Sequence, residues 1–385
     1  MKILHVVPTY LPAMRYGGPI HSVHGLCRTL VHAGIDVSVY TTNIDGTTVS
    51  DVVTNIPIEV DGVKVSYFQS RFIKRLYYSP QMKISLSNNI DKFDLVHGHS
   101  IYLWPTAMAA TLCQKHRKPY VLSPRGMLVR KLVNKRNKLI KLLWINLVEK
   151  NNFSNASAIH FTSQVEAEDA KEFNLAIRDS FVIPNGVDIE EMEAVEHIYT
   201  IEKLIERHTP YILFLGRVNW KKGLDRLIQS LSLTQNVTLL IAGNDEEGYM
   251  NHLLGIITKH KLDERVKFLG FVNNVEKVIL IRNAKLLLLT SYSENFGNTV
   301  LEAMAVGCPV VVTRKVGLAR TVEENGSGMV VDGKPSEIAK AINTLLNDEN
   351  MAKMMGMRGR NAAKNSFSWE QIGWQMLHKY QELTT

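Results

Sequence analysis

Several features are scarce in this chain of 385 residues, and each scarcity excludes something. There are three cysteines, Cys27, Cys113 and Cys308, odd in number, without C-x-x-C spacing and set in apolar contexts. This pattern argues against a disulfide framework and reads as buried free thiols in a reducing cytoplasm. No apolar run approaches the roughly 18 residues that a membrane-spanning helix needs, and the start MKILHVVPTYLP is short and broken by Pro8 and Pro12. Neither a span nor a signal peptide is expected. There is no G-x-G-x-x-G and no GKS or GKT loop, which weighs against a dinucleotide dehydrogenase and a P-loop NTPase.

What remains is the composition of a soluble enzyme, 45% apolar and 21% charged. The length exceeds what one hydrophobic core usually supports, so two domains are expected. The net charge of +8 is unevenly placed, with sixteen Lys or Arg against three acidic residues between Arg71 and Lys150. Short β-branched runs alternate with amphipathic helical patterns, which predicts α/β architecture with parallel sheets. In the first half the strand candidates are KILHVVP, DVSVYTT, DLVHGH, PYVLSP, AIHFTS and FVIPNG. The series restarts with YILFLG, VTLLIAG, VKFLGF, KLLLLTS, CPVVVT and GMVVD. Between the two lies an acid-rich stretch without a strong strand, so the boundary is expected near residues 188 to 208. The expected domains are 1–190 and 205–366, with a last helix, 367–385, crossing back to the first through Trp369, Ile372, Trp374 and Leu377.

In open parallel sheets ligands bind beyond the carboxyl ends of the strands, which directs attention to the loops that follow them. After the first strand, Gly17 and Gly18 precede Pro19 at a helix start, where bare backbone N–H groups admit a phosphate; an ordinary Gly-Gly turn fits as well. After the restarting strand, Arg217 and Lys221-Lys222-Gly223 read as a diphosphate clamp or as a solvated basic turn. The third loop is SYSENFGNTVLEAMAVG. Thr299 and Glu302 fit a capping box, whereas Glu294 stands before the cap at a strand end and has no such structural role.

The combination of GGP after the first strand, GRVNWKKG, and ENFGNTVLEAMAVGCPVV resembles the retaining GT-B glycosyltransferases of the glycosyltransferase 4 family. The HGH, PRGM, IPNGVD and IAGND stretches extend the resemblance over most of the chain. It implies two Rossmann-like, doubly wound domains facing across a cleft. It implies that Glu294 and the backbone of Asn295, Phe296 and Gly297 hold donor-sugar hydroxyls, with Asn298 and Thr299 turning a helix N-terminus toward the diphosphate. Glu302 would grip the ribose, Arg217 and Lys222 would neutralise the diphosphate, and Gly17 and Gly18 would lie over it. His99 matches a histidine near the donor sugar, and Phe271 with Val272 matches the place that receives the base.

No cofactor and no metal are expected. His97 and His99 point the same way on a strand, but no further ligand is evident in the sequence, and no D-x-D occurs. The implied reaction is retaining transfer of a hexose, with UDP-glucose placed first and UDP-N-acetylglucosamine and GDP-mannose next. The acceptor is a glycan or a lipid-linked saccharide of polysaccharide biosynthesis, with Arg125 meeting an anionic acceptor. Lys131, Lys135, Arg136, Lys138 and Lys141 with Leu139, Leu142, Leu143 and Trp144 form a basic amphipathic helix. It either lies on anionic lipid at the inner face of the cell membrane or packs on the core with a solvated basic face. Few aromatics interleave with the charge, so nucleic acid is not an expected partner. The rivals are a non-catalytic nucleotide-sugar-binding subunit and a sugar-nucleotide epimerase.

Overall fold

The computed structural model describes residues 1–13, 17–71, 73–130, 138–196, 199–208, 210–234, 237–245 and 247–385. Lys131, Lys135 and Arg136 of the basic segment therefore lie outside the described residues. The chain forms two compact units, Met1–Gly186 with Trp369–Thr385, and Val187–Ser368. The acid-rich connector belongs wholly to the second unit, as helices Ile189–Glu193 and Tyr199–His208. Met192, Ile201 and Ile205 bury their side chains in that unit's core, which is why the division falls before this stretch rather than within it.

The strands of the first unit are β1 Lys2–Val6, β2 Asp36–Thr42, β3 Ile44–Asp45, β4 Thr48–Val49, β5 Pro57–Val60, β6 Val63–Phe68, β7 Leu95–His99, β8 Tyr120–Ser123, β9 Ala158–Phe161 and β10 Ser180–Val182. Eight of them make one sheet, in the order β10-β9-β8-β7-β1-β2-β6-β5, while β3 and β4 pair separately. The sheet is parallel apart from the β5–β6 hairpin. That hairpin is absent from the sequence expectations, although its Asp61-Gly62 turn is a strong hairpin signal. Both residues have positive φ, 50° and 79°, as a type I′ turn requires.

Alternation along β1 sends Leu4 and Val6 to one side of the sheet and Ile3 and Val7 to the other. The second side is covered by helix Gly18–His32 and by the C-terminal helix Trp369–Thr384, whose Ile372, Met376, Leu377 and Tyr380 are buried there. Trp374 is 60% exposed, contrary to expectation, because the buried stripe runs through Ile372, Met376 and Tyr380. The two helices approach closely: a Cβ at Gly25 would lie 2.4 Å from the Trp369 indole.

The second unit contains β11 Tyr211–Leu215, β12 Thr238–Ala242, β13 Val266–Gly270, β14 Leu286–Leu289, β15 Val310–Thr313 and β16 Gly328–Val331. Their order is β13-β12-β11-β14-β15-β16, all parallel. Counted from β11 this is the doubly wound order 3-2-1-4-5-6, with its switch point between β11 and β14. Strands β11, β14 and β15 are buried on both faces, so they read as continuous apolar runs. All three cysteines are free and buried. Among the described residues no helix is long and apolar enough to cross a membrane.

Candidate functional site

The loops leaving β11 and β14 meet at the switch point of the second unit. Beyond β11, Asn219 caps the short turn Trp220–Lys222 by accepting from the Lys221 N–H at 3.1 Å. Gly223 follows with φ 65°, and a Cβ there would lie 2.0 Å from the Thr290 carbonyl oxygen, so only glycine allows this approach to the end of β14. Tyr292 joins the loops further. Its N–H donates to the Lys221 carbonyl, its hydroxyl donates to Asp225, and the Arg226 guanidinium lies 4.1 Å above its ring.

This framework brings the Lys222 ammonium into an ion pair with Glu294, both side chains being less than one-fifth exposed. The backbone of Glu294 is fixed independently: its N–H donates to Lys315, and its carbonyl accepts from Gly317. Lys221, next in sequence, is held below the usual lysine range by burial and by the neighbouring Arg217. Arg217, Lys221, Lys222 and Glu294 thus form one electrostatic group beyond the strand ends.

Phe296 is buried and Asn295 half-buried. Helix Asn298–Ala305 starts from Gly297, which has φ 101° and contributes no side-chain cap. The capping box expected from Thr299 and Glu302 is therefore not formed, because the helix begins one residue before Thr299 and places Glu302 inside it. Glu302 instead accepts from Lys277 at 2.7 Å through Oε1, and its Oε2 is buried without a partner among the described residues. Lys277 is not among the residues the sequence motifs single out. It lies on helix Asn274–Asn283, whose start is marked by a reciprocal Asn273–Glu276 capping box, a signal that was available. Phe271, just beyond β13, is 57% exposed, and Val272 packs against the core.

The other implied residues belong to the first unit. Gly17, with φ 46°, caps helix Gly18–His32 without a side-chain hydrogen bond, and Pro19 lies in the first turn. His99 ends β7 and is buried, with both ring nitrogens engaged: Arg125 Nη2 lies 3.1 Å from Nδ1, and His5 Nδ1 lies 2.9 Å from Nε2. Arg125 also donates to Asn185 at 2.9 Å, and its backbone is left-handed, with φ 54°. Beside this pair, His97 bonds Tyr380 and Ser123, and Ser123 bonds His160.

His5 is the third histidine that the sequence did not reveal, since it reaches His97 only through the β1–β7 register. The set does not fit a divalent cation. Five of the six ring nitrogens of His5, His97 and His99 already face hydrogen-bond partners, and the Arg125 guanidinium touches His99. Burial keeps all of them neutral, with His5 held down to about 3.

Two family models match the chain: Glycosyltransferase Family 4 over residues 16–191 and Glycosyl transferases group 1 over residues 199–362. The chain belongs to the glycosyltransferase 4 family. An uncharacterized glycosyltransferase of Methanocaldococcus jannaschii is 27% identical over 400 aligned positions, covering 99% of this chain and 98% of that protein. A D-inositol 3-phosphate glycosyltransferase of Corynebacterium efficiens is 32% identical, covering 46% of this chain and 44% of its own length. The capsular polysaccharide biosynthesis glycosyltransferase CapM of Staphylococcus aureus is 30% identical, covering 54% and 55%. The chain thus spans about half the length of these two relatives.

Among solved structures, sucrose-phosphate synthase of Thermosynechococcus elongatus matches with a TM-score of 0.78 at 20% identity, covering 100% of this chain and 99% of that one. The Anabaena protein HepE in complex with UDP-glucose matches with a TM-score of 0.76 at 22% identity, covering 99% and 100%. The fold is GT-B, with two Rossmann-like parallel-sheet domains. This glycosyltransferase therefore carries the Lys222–Glu294 pair and the Lys277–Glu302 pair on its second Rossmann-like domain, and the Arg125–His99–His5 chain on its first.

Proposed function

We propose that this glycosyltransferase moves a hexose from a nucleotide sugar, UDP-glucose first, to a saccharide or lipid-linked saccharide acceptor with retention and without a metal. The observation that carries this reading is the grouping of Arg217, Lys222 and Glu294 beyond β11 and β14, at the switch point where such sheets bind ligands. Lys222 and Arg217 would turn to the diphosphate and stabilise the departing charge, while Glu294, released from Lys222, would accept from donor-sugar hydroxyls. Asn295, Phe296 and Gly297 would contribute backbone groups, Glu302 the ribose contact, and Phe271 with Val272 the base contact. Gly17 and Gly18, at the start of helix Gly18–His32, would offer backbone N–H groups to a phosphate. The acceptor oxygen bonds to the anomeric carbon on the face from which the diphosphate leaves, and its proton passes to the departing phosphate oxygen. Arg125 would meet an anionic group of the acceptor.

A membrane-borne acceptor is favoured by helix Lys138–Trp144 and its continuation, where Leu139, Ile140, Leu143 and Leu147 are 82%, 67%, 60% and 70% exposed beside Lys138 and Lys141. These side chains do not pack on the core, and a basic helix with bare leucines suits peripheral binding to anionic lipid.

A thermal-shift panel of UDP, UDP-glucose, UDP-N-acetylglucosamine and GDP-mannose tests the donor, since a ligand at about a hundred times its Kd stabilises by roughly 2.7 kcal/mol. UDP and UDP-glucose are expected to raise the melting temperature, and a membrane extract supplying acceptors should then release UDP. No shift with any nucleotide would overturn the proposal. A shift without turnover would favour a non-catalytic binding subunit.

A further inference from the structure

The proton positions in the buried histidine set follow from its two ends. At one end the Ile183 carbonyl only accepts, so His160 Nε2–H donates to it at 2.8 Å and His160 Nδ1 is bare. Ser123 then donates to that nitrogen and accepts from His97 Nε2–H, each at 2.7 Å, and Tyr380 donates to His97 Nδ1. At the other end Arg125 only donates, so His99 Nδ1 is bare and its proton sits on Nε2. His99 Nε2–H must therefore donate to His5 Nδ1 at 2.9 Å, which places the His5 proton on Nε2, where it is buried without a partner among the described residues.

That orphaned N–H is costly on the side of β1 that also carries Ile3 and Val7, where a leucine would bring no polar atom of its own to satisfy. Packing does not explain a histidine here, whereas its bare Nδ1 does. We propose that His5 is a positioning residue for the transfer reaction: by accepting from His99 Nε2–H it locks the tautomer whose bare Nδ1 holds Arg125 for the acceptor. In the other tautomer His99 would face the guanidinium with an N–H, donor against donor, and of the two side chains that accept from Arg125 among the described residues only Asn185 would remain. The inference rests on the proposal that Arg125 meets the acceptor.

The test combines long-range proton–nitrogen NMR of histidine-labelled protein with UDP release against a dilution series of membrane extract. Wild-type His99 is expected as the neutral Nε2–H tautomer. In His5→Leu that signal should move toward Nδ1–H, and half-saturation by extract should need about tenfold more, a larger change than in half-saturation by UDP-glucose. His5→Gln, whose carbonyl oxygen also accepts, should return within about threefold of wild type. A wild-type proton on Nδ1 would overturn the proposal, as would His5→Leu retaining the Nε2–H signal or unchanged extract dependence. Should His5→Leu fail to fold, the wild-type tautomer and the His5→Gln rescue decide. Arg125→Met with unchanged extract dependence would overturn the acceptor reading on which the inference rests, whereas a retained Nε2–H signal in His5→Leu would overturn the role of His5 alone.

Discussion

Lys277 donates to one oxygen of Glu302 at 2.7 Å and leaves the other oxygen buried without a partner among the described residues. The ammonium thus holds the carboxylate turned one way, with an acceptor atom unspent. Lys277→Met and Glu302→Gln are each expected to weaken UDP binding about tenfold, as read by calorimetry. Unchanged affinity in both variants would remove Glu302 from the nucleotide site.

Lys222 and Glu294 are paired in the same unit with little exposure, so each neutralises a partner that would otherwise be half-buried and charged. Lys222→Ala and Glu294→Ala are expected to lose most transfer activity while remaining folded. Melting temperatures should show each single variant destabilised and Lys222→Met/Glu294→Gln less so than the sum, with a coupling of about 0.5–3 kcal/mol. Full activity in either alanine variant would sink the assignment.

Burial pulls His5 and His160 down to about 3, and His97 and His99 well below their ordinary value. In the unfolded chain these groups take up protons near pH 6.5, so the unfolded state binds more protons than the native one as pH falls. Stability is therefore full above about 6.5 and falls progressively toward about 3, by up to roughly 1.4 kcal/mol per pH unit for each histidine. Melting curves between pH 7.5 and 5 should show this loss, and a flat profile would contradict the neutral network.

Gly25 leaves room for the Trp369 indole, which ties the C-terminal helix to the first unit. Gly25→Val should displace that indole and destabilise by about 1–3 kcal/mol. The expected signature is earlier proteolysis after residue 368, and an unchanged cleavage pattern would show that the helix docks without Trp369.

The exposed leucines beside Lys138 and Lys141 should bring the protein down with vesicles rich in anionic phospholipid at physiological salt. Leu139→Ser/Leu143→Ser should reduce that sedimentation while leaving the melting temperature within about 0.5 kcal/mol of wild type. No sedimentation of the wild type would remove the membrane reading.

The strands of the second unit were legible because a strand buried on both faces must be a continuous apolar run, as in YILFL and LLLL. Glu294 was legible because it stands in a local motif at a strand end. The β5–β6 hairpin is announced only by its Asp61-Gly62 turn, since β5 is short and stays exposed or half-buried along its length. Thr299 and Glu302 misled because S/T-x-x-E spacing describes a cap only when the helix begins at the threonine, and Gly297 begins it sooner.

The repeated strand-helix grammar, the family and the strand-end residues that carry its motifs are written in the sequence, because each rests on neighbours within a few positions along the chain. What those residues touch is set by the folded chain. Tyr380 reaches His97 across 283 residues and His5 reaches His99 across 94. Such contacts depend on sheet register and helix docking, which packing of the whole domain sets and no local pattern encodes.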